Sequence, residues 1–127
     1  MNKYRFPAIY AEARTAGMAA GTGATPTPMI VGSPSTPFGN DIDPNKKTYF
    51  VPDGPCGFAW INIRPGNCKF ANWLKKERLA RGSYRGGVDV WVGEFGQSMA
   101  RKEAYAGAFS KVLREEGIDA YADSRMD

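Results

Sequence analysis

One stretch, Cys56-Gly-Phe-Ala-Trp-Ile-Asn-Ile-Arg64, constrains this chain more than any other. It is rich in aromatic and β-branched residues and is bracketed by Pro55 and by Pro65-Gly66, the composition of a strand between turns. Successive side chains of a strand point to opposite faces. Ala59, Ile61 and Ile63 therefore share one face, and Phe58, Trp60 and Asn62 share the other. The aliphatic row suits a core beneath helices. The aromatic row demands that the sheet's second face also has something to meet.

The flanking segments supply the helices and partner strands. Pro7–Ala20 reads as a helix, alanine-rich and with proline in its first turn. Ile9, Ala13, Ala16 and Ala20 form a weak apolar stripe, Gly17 and Gly21 a small pair suited to close packing, and Gly21 and Gly23 an end. Thr22–Asn45 holds five prolines and reads as a strap laid over a surface, with a short strand at Met29–Val31. Thr48–Val51 reads as a strand in a hairpin with the central strand, through Pro52-Asp53-Gly54-Pro55. Asn67 is placed to cap a helix to about Ala80, with Phe70, Ala71 and Leu74 inward and Trp73 beside them. Gly82, Gly86 and Gly87 mark a loop. Val88, Val90 and Val92 alternate with Asp89 and Trp91 in the next strand. Ser98 caps the longest helix, whose core face is Tyr105, Ala108, Phe109, Val112 and Leu113, and Gly117 stops it. Ile118–Ala122 is a final strand, with Tyr121 opposite Ala120 and Ala122.

This order predicts an α/β (α+β) sandwich: a small mixed sheet with two helices on one face, preceded by an N-terminal helix and a Pro/Gly-rich strap. Crossovers between parallel neighbours would be right-handed. The chain of 127 residues divides into an N-terminal helix (1–21), the strap (22–47) and the α/β core domain (48–127).

With these strand phases, Phe58, Trp60, Trp91 and Tyr121 collect on the face that the long helices leave open. Monomers seldom leave so large an apolar patch bare. The N-terminal helix and strap can fold over it, a second copy of the chain can pack on it, or bases can stack on it. The signature of the RNA-recognition module is absent. Between Arg64 and Arg85 the charge is concentrated and basic, with Glu77 as the one acid. The ordinary reading of such a run is a solvated helix face; a phosphate-binding surface is the alternative. Tyr84 between Arg81 and Arg85, in a glycine-rich loop, is suited to clasping a nucleotide. The stacking candidates are thus Phe58, Trp60, Trp91 and Tyr121. The phosphate-binding candidates are Arg64, Arg81, Arg85, Ser98, Arg101 and Lys102, the last three at a helix start where backbone N–H groups attract anions.

Several chemistries find no support. The chain has no histidine, so serine–histidine and cysteine–histidine nucleophilic sites cannot be built. Cys56 and Cys68 lack metal-site spacing and read as reduced thiols. Asp41-Ile-Asp43-Pro-Asn45 begins like a calcium loop, but Lys46 and Pro52 stand where glycine and glutamate belong. Gly21-Thr-Gly23 is not a phosphate loop. Asp89, Glu94 and Glu103 could form a carboxylate site only if the fold converged them. No metal or cofactor is expected, and nothing calls for an enzyme. No apolar run is long enough to cross a bilayer, and no apolar signal core follows the N-terminal residues. The net charge of +4 permits anionic partners.

Cys56-Gly-Phe-Ala-Trp-Ile-Asn-Ile-Arg-Pro-Gly-Asn, Gln97-Ser-Met-Ala-Arg-Lys-Glu-Ala-Tyr and Ile118-Asp-Ala-Tyr-Ala-Asp-Ser-Arg-Met-Asp together resemble a family of small uncharacterised tailed-bacteriophage proteins, over most of the chain beyond the strap. The resemblance implies a bacterial host cytoplasm, or a virion, as the setting. It carries no site residues. The function expected is an accessory binding protein that contacts nucleic acid or a nucleotide through the aromatic face and basic loop. The alternative is a protein-interaction role, as an inhibitor of a host enzyme or defence system or as a self-assembling structural or virion component, with a host protein or a homo-oligomer as the partner.

Overall fold

The structure, a computed structural model, describes residues 5–24, 29–31, 49–51 and 55–126. In chain order its elements are α1 (Phe6–Gly23), β1 (Met29–Val31), β2 (Tyr49–Val51), β3 (Gly57–Arg64), α2 (Lys69–Lys76), β4 (Arg81–Gly82), β5 (Val88–Trp91), α3 (Met99–Glu115) and β6 (Asp119–Met126). β3 lies inside a four-stranded sheet of order β4-β5-β3-β6. Its residues alternate between buried and half-buried from Gly57 to Ile63, with Arg64 exposed at the end, as an alternating strand packed on one side must.

Ala59, Ile61 and Ile63 join Val88, Val90 and Ala120 in one core with α2 (Phe70, Ala71, Leu74) and α3 (Tyr105, Phe109, Leu113). Both helices therefore lie on the aliphatic side, and the expected α+β sandwich is what forms. The pairing sense is more specific than expected. Every described strand pair is antiparallel, where a mixed sheet with parallel neighbours was expected. The reason is β4, two residues with no strand signal of their own. It adds one pass of the chain between α2 and β5 and so reverses every later strand. The result is β-α-β-β-α-β from β3 to β6, with β3 and β5 as the inner strands: the ferredoxin-like arrangement of two split β-α-β units.

The strand at Tyr49–Val51 forms, but it pairs with Met29–Val31 in a separate two-stranded sheet rather than with β3. The proposed turn at 52–54 and most of the strap, residues 25–28 and 32–48, lie outside the described residues. α1 packs on α3, on the helix side of the molecule and not over the aromatic face, for which it was one of the three coverings open. Its buried stripe is Phe6, Ile9, Ala13, Gly17 and Gly21. Phe6 meets Phe70 edge to face at 5.4 Å, and Tyr10 meets Phe109 at 5.7 Å. The glycine pair explains the choice of side: a Cβ on Gly17 would stand 2.9 Å from the Tyr105 ring, and one on Gly21 would run into Phe95.

Helix ends also depart from the pattern. Cys68, not Asn67, caps α2, its Sγ accepting from the Ala71 N–H at 3.4 Å. α2 stops at Lys76 because Arg78 adopts a left-handed backbone (φ 61°) and the Leu79 N–H closes back on the Leu74 carbonyl at 2.8 Å. α3 ends the same way at the expected place, with Gly117 at φ 82° and the Ile118 N–H on the Leu113 carbonyl at 3.0 Å. No helix among the described residues is long and apolar enough to cross a membrane.

Candidate nucleic-acid interface

The strand register assembles the second face. Trp60 lies opposite Trp91 on one side and Asp123 on the other; Asn62 lies between Asp89 and Tyr121; Phe58 faces Arg125, and Arg64 faces Asp119. Because partners across a ladder share a face, all of these side chains project on the side away from α2 and α3. The expected phase of Phe58, Trp60, Trp91 and Tyr121 is the one found.

The tryptophans form a tilted pair, ring centres 4.7 Å apart. Trp91 is 42% exposed and Tyr121 59% exposed. Phe58 meets Trp91 edge-on at 6.4 Å. Its ring also carries the Lys102 ammonium and the Arg125 guanidinium, each 5.5 Å from the centre, so its faces are occupied from within the chain. Arg114 lies 5.4 Å from the Tyr121 ring centre and donates to the Ala120 carbonyl at 2.7 Å.

Polar side chains on β3 fix the loop that rises over this face. Asn62 donates from one amide nitrogen to the Gly86 carbonyl (3.0 Å) and to Asp89 Oδ1 (2.8 Å). Arg64 donates from Nε to Asn62 Oδ1 (2.8 Å) and from Nη2 to the Arg85 carbonyl (3.0 Å). At Gly87, φ is 73° and a side chain would strike the Ile63 carbonyl, so only glycine brings the loop this close to β3. The clamp leaves Tyr84 fully exposed at the tip and Arg85 exposed beside it.

Clefts run along both sides of the tryptophan pair. One, of about 320 Å³, lies between the loop and β6 and is lined by Trp60, Asn62, Arg64, Arg85 and Tyr121. It adjoins one of about 340 Å³ bounded by Trp60, Tyr84, Trp91 and Arg125. Another, of about 420 Å³, lies at the β4 edge between Trp91 and Lys75, Arg78 and Arg81. Among the described residues the guanidiniums of Arg78, Arg81 and Arg85 have no carboxylate partner; the ion pair the structure shows is Arg5 with Glu116, at 3.3 Å. Most of the face's cations lie at the loop and β4 side, with Arg125 on β6; its carboxylates are Asp89 on β5 and Asp119 and Asp123 on β6.

Three phosphate candidates do not join this group. Arg101 donates from Nη1 to the Gly21 and Thr22 carbonyls at 3.0 and 3.1 Å, closing the C-terminus of α1. Ser98 Oγ accepts from the Arg101 N–H at 3.3 Å, and the Met99 N–H goes to the Pro55 carbonyl at 3.3 Å. The Met99, Arg101 and Lys102 N–H groups at the start of α3 are thereby satisfied within the chain. Lys102, 6% exposed, lies over Phe58. The chain gains Arg125 instead. The signal was present, since alternation through Asp123 and Arg125 continues the Tyr121 face, but reading the strand as ending at Ala122 cut it off.

The carboxylates do not converge. Asp89 sits on the aromatic face, and Glu103 is exposed on α3. Glu94 lies on the helix side, where it and burial among the helices push the Tyr105 phenol up to about 12, burial being the larger cause. Among the described residues no three His, Cys, Asp or Glu side chains come together. Comparison of the chain with family models, with curated proteins and with solved structures gives no match.

Proposed function

We propose that this protein binds single-stranded nucleic acid on the open face of its sheet. Bases stack on Trp91 and Trp60, and the phosphates follow Arg78, Arg81 and Arg85 along the β4 edge and loop. The observation that carries the reading is the Trp60–Trp91 pair, Trp91 exposed and Trp60 half-buried, on the inner strands between clefts edged by arginines that lack carboxylate partners. Aromatic rings stack any base, and a cationic groove tracks the backbone. A four-stranded sheet with aromatics opposite its helices is also the platform of RNA-recognition modules, an analogy of form that lends support without identity. Clefts on both sides of the tryptophans favour a strand of several nucleotides over a mononucleotide.

The test is a titration with labelled oligo-dT, oligo-U and duplex DNA, followed by anisotropy and by tryptophan emission. Single strands bind more tightly than duplex and quench the tryptophans. Trp91→Ala weakens binding about 5- to 150-fold, the worth of roughly 1–3 kcal/mol for one stacked base. Arg85→Ala lowers the slope of log K against log[salt] by about 0.7, the share of one phosphate on a single strand. No binding at low salt by any of the three probes would overturn the proposal.

A further inference from the structure

We infer that β6 is a docking edge for a second copy of this chain, joined antiparallel so that two four-stranded sheets become one. β6 is the last strand of the sheet order and runs for eight residues without a break in register against β3. Natural edges of that length are usually blunted by proline, a bulge or charges, lysine above all. Asp119-Ala-Tyr-Ala-Asp-Ser-Arg-Met126 carries Asp119 and Arg125, which the two-fold register below pairs, and Asp123, which it sets against Tyr121; of proline, lysine and a bulge it has none.

The hydrogen bonds show which residues face the open edge. The Val92 N–H bonds to the Ala59 carbonyl, so the odd residues of β3 serve β5 and its even residues serve β6. By the register Trp60↔Asp123, the odd residues of β6 serve β3. Ala120, Ala122 and Ser124 therefore direct their backbone groups outward. Two of these groups are already in use: the Ala120 carbonyl takes the Arg114 guanidinium, and the Ser124 N–H goes to its neighbour's Asp123 Oδ1 at 2.8 Å. Both substitutes are flexible side chains that can swing away.

One two-fold register satisfies the edge and its charges together. Centring the axis on Ala122 sets Ala122 against Ala122 and Ala120 against Ser124, so the two substituted groups become each other's partners. The same register sets Asp119 against Arg125 and Tyr121 against Asp123, twice over by symmetry. Centring it one residue earlier or later, on Tyr121 or Asp123, sets Asp119 against Asp123 or Asp123 against itself. The helix-side row of Ala120, Ala122 and Ser124 is small enough for close approach. The pairing would draw the face's Asp119 and Asp123 into contact with the second copy and lay two tryptophan platforms on one continuous sheet.

The experiment is the mass of the whole chain by light scattering and sedimentation across a concentration series reaching about 1 mM. The wild type approaches twice its 13.9 kDa chain mass. Arg125→Asp, an exposed change that leaves the core untouched, faces Asp119 with a carboxylate and raises the concentration for half-association at least tenfold. Combining it with Asp119→Arg restores the pair with its charges exchanged and recovers the wild-type value. A wild type monomeric throughout overturns the inference. So does a dimer that Arg125→Asp leaves intact, or one that the double exchange does not rescue. The readout is mass, so this result stands or falls apart from nucleic-acid binding.

Discussion

Gly17 and Gly21 do more to place α1 than any side chain on it. A methyl on Gly21 meets the Phe95 ring, and one on Gly17 lies 2.9 Å from Tyr105. Gly21→Ala is expected to destabilise the protein by about 1–3 kcal/mol, the usual cost of overpacking. Gly107, inside α3, has open space where its Cβ would stand. Gly107→Ala should therefore stabilise by roughly 0.5–1 kcal/mol, the helix preference of alanine over glycine. Urea unfolding of both variants checks the opposite signs. Tyr105 gives a pH dependence at the same scale. The residue is 3% exposed, and burial raises its phenol pKa from 10.0 to about 12. The folded state thus keeps a proton that the unfolded state loses, and the contribution is whole below pH 10 and fades as pH rises towards 12. Two units correspond to roughly 2–3 kcal/mol. The wild type should lose about that much stability relative to Tyr105→Phe between pH 10 and 12; parallel curves would show that the phenol is not desolvated.

At the scale of elements, the sequence was legible wherever a period recurs. Alternation in β3 and β5 gave the face of each tryptophan, and the helical repeat gave the core side of α3. It was illegible where one backbone choice decides. Arg78 ends α2 in a left-handed conformation that glycine would normally announce. β4 is too short to show a period, yet it sets the direction of β5 and β6. The side chosen by α1 depends on the Tyr105 and Phe95 rings, which are remote in sequence. Arg101 illustrates how a plausible phosphate ligand can be needed elsewhere. Its bonds to the Gly21 and Thr22 carbonyls tie the end of α1 to the start of α3. Arg101→Gln should cost about 1.5–3 kcal/mol, as expected for a charged donor withdrawn from a backbone acceptor. Amide exchange should accelerate first at the C-terminal turn of α1. The salt slope for oligo-dT should stay at the wild-type value; a fall of about 0.7 would mean that Arg101 holds a phosphate after all.

For the molecule as a whole, the sheet separates a packed helix side from an open face. Its helix side holds Ile61, Ile63, Phe109 and Leu113, all fully buried, and the aromatic chain from Phe6 through Trp73, Tyr10 and Phe109 to Tyr105. Its other side presents the Trp60–Trp91 pair with Phe58 edge-on to it, and Tyr121 beside Arg114. A ring removed from each side should therefore have opposite consequences. Phe109→Ala opens a cavity in a filled core and should cost about 3–5 kcal/mol, a large share of the roughly 5–15 kcal/mol that holds a domain folded. The fraction still folded should bind oligo-dT as the wild type does, because no group on the open face has moved. Trp91→Ala removes a ring already 42% exposed. Its stability cost, the partial burial of the ring plus the roughly 0.5–1.5 kcal/mol of its pairing with Trp60, should stay below that of Phe109→Ala, while affinity falls about 5- to 150-fold. Thermal unfolding and oligo-dT anisotropy on the same samples resolve the two effects. If Trp91→Ala cost as much stability as Phe109→Ala, the ring would belong to a second core, and the open face would serve the fold rather than a ligand.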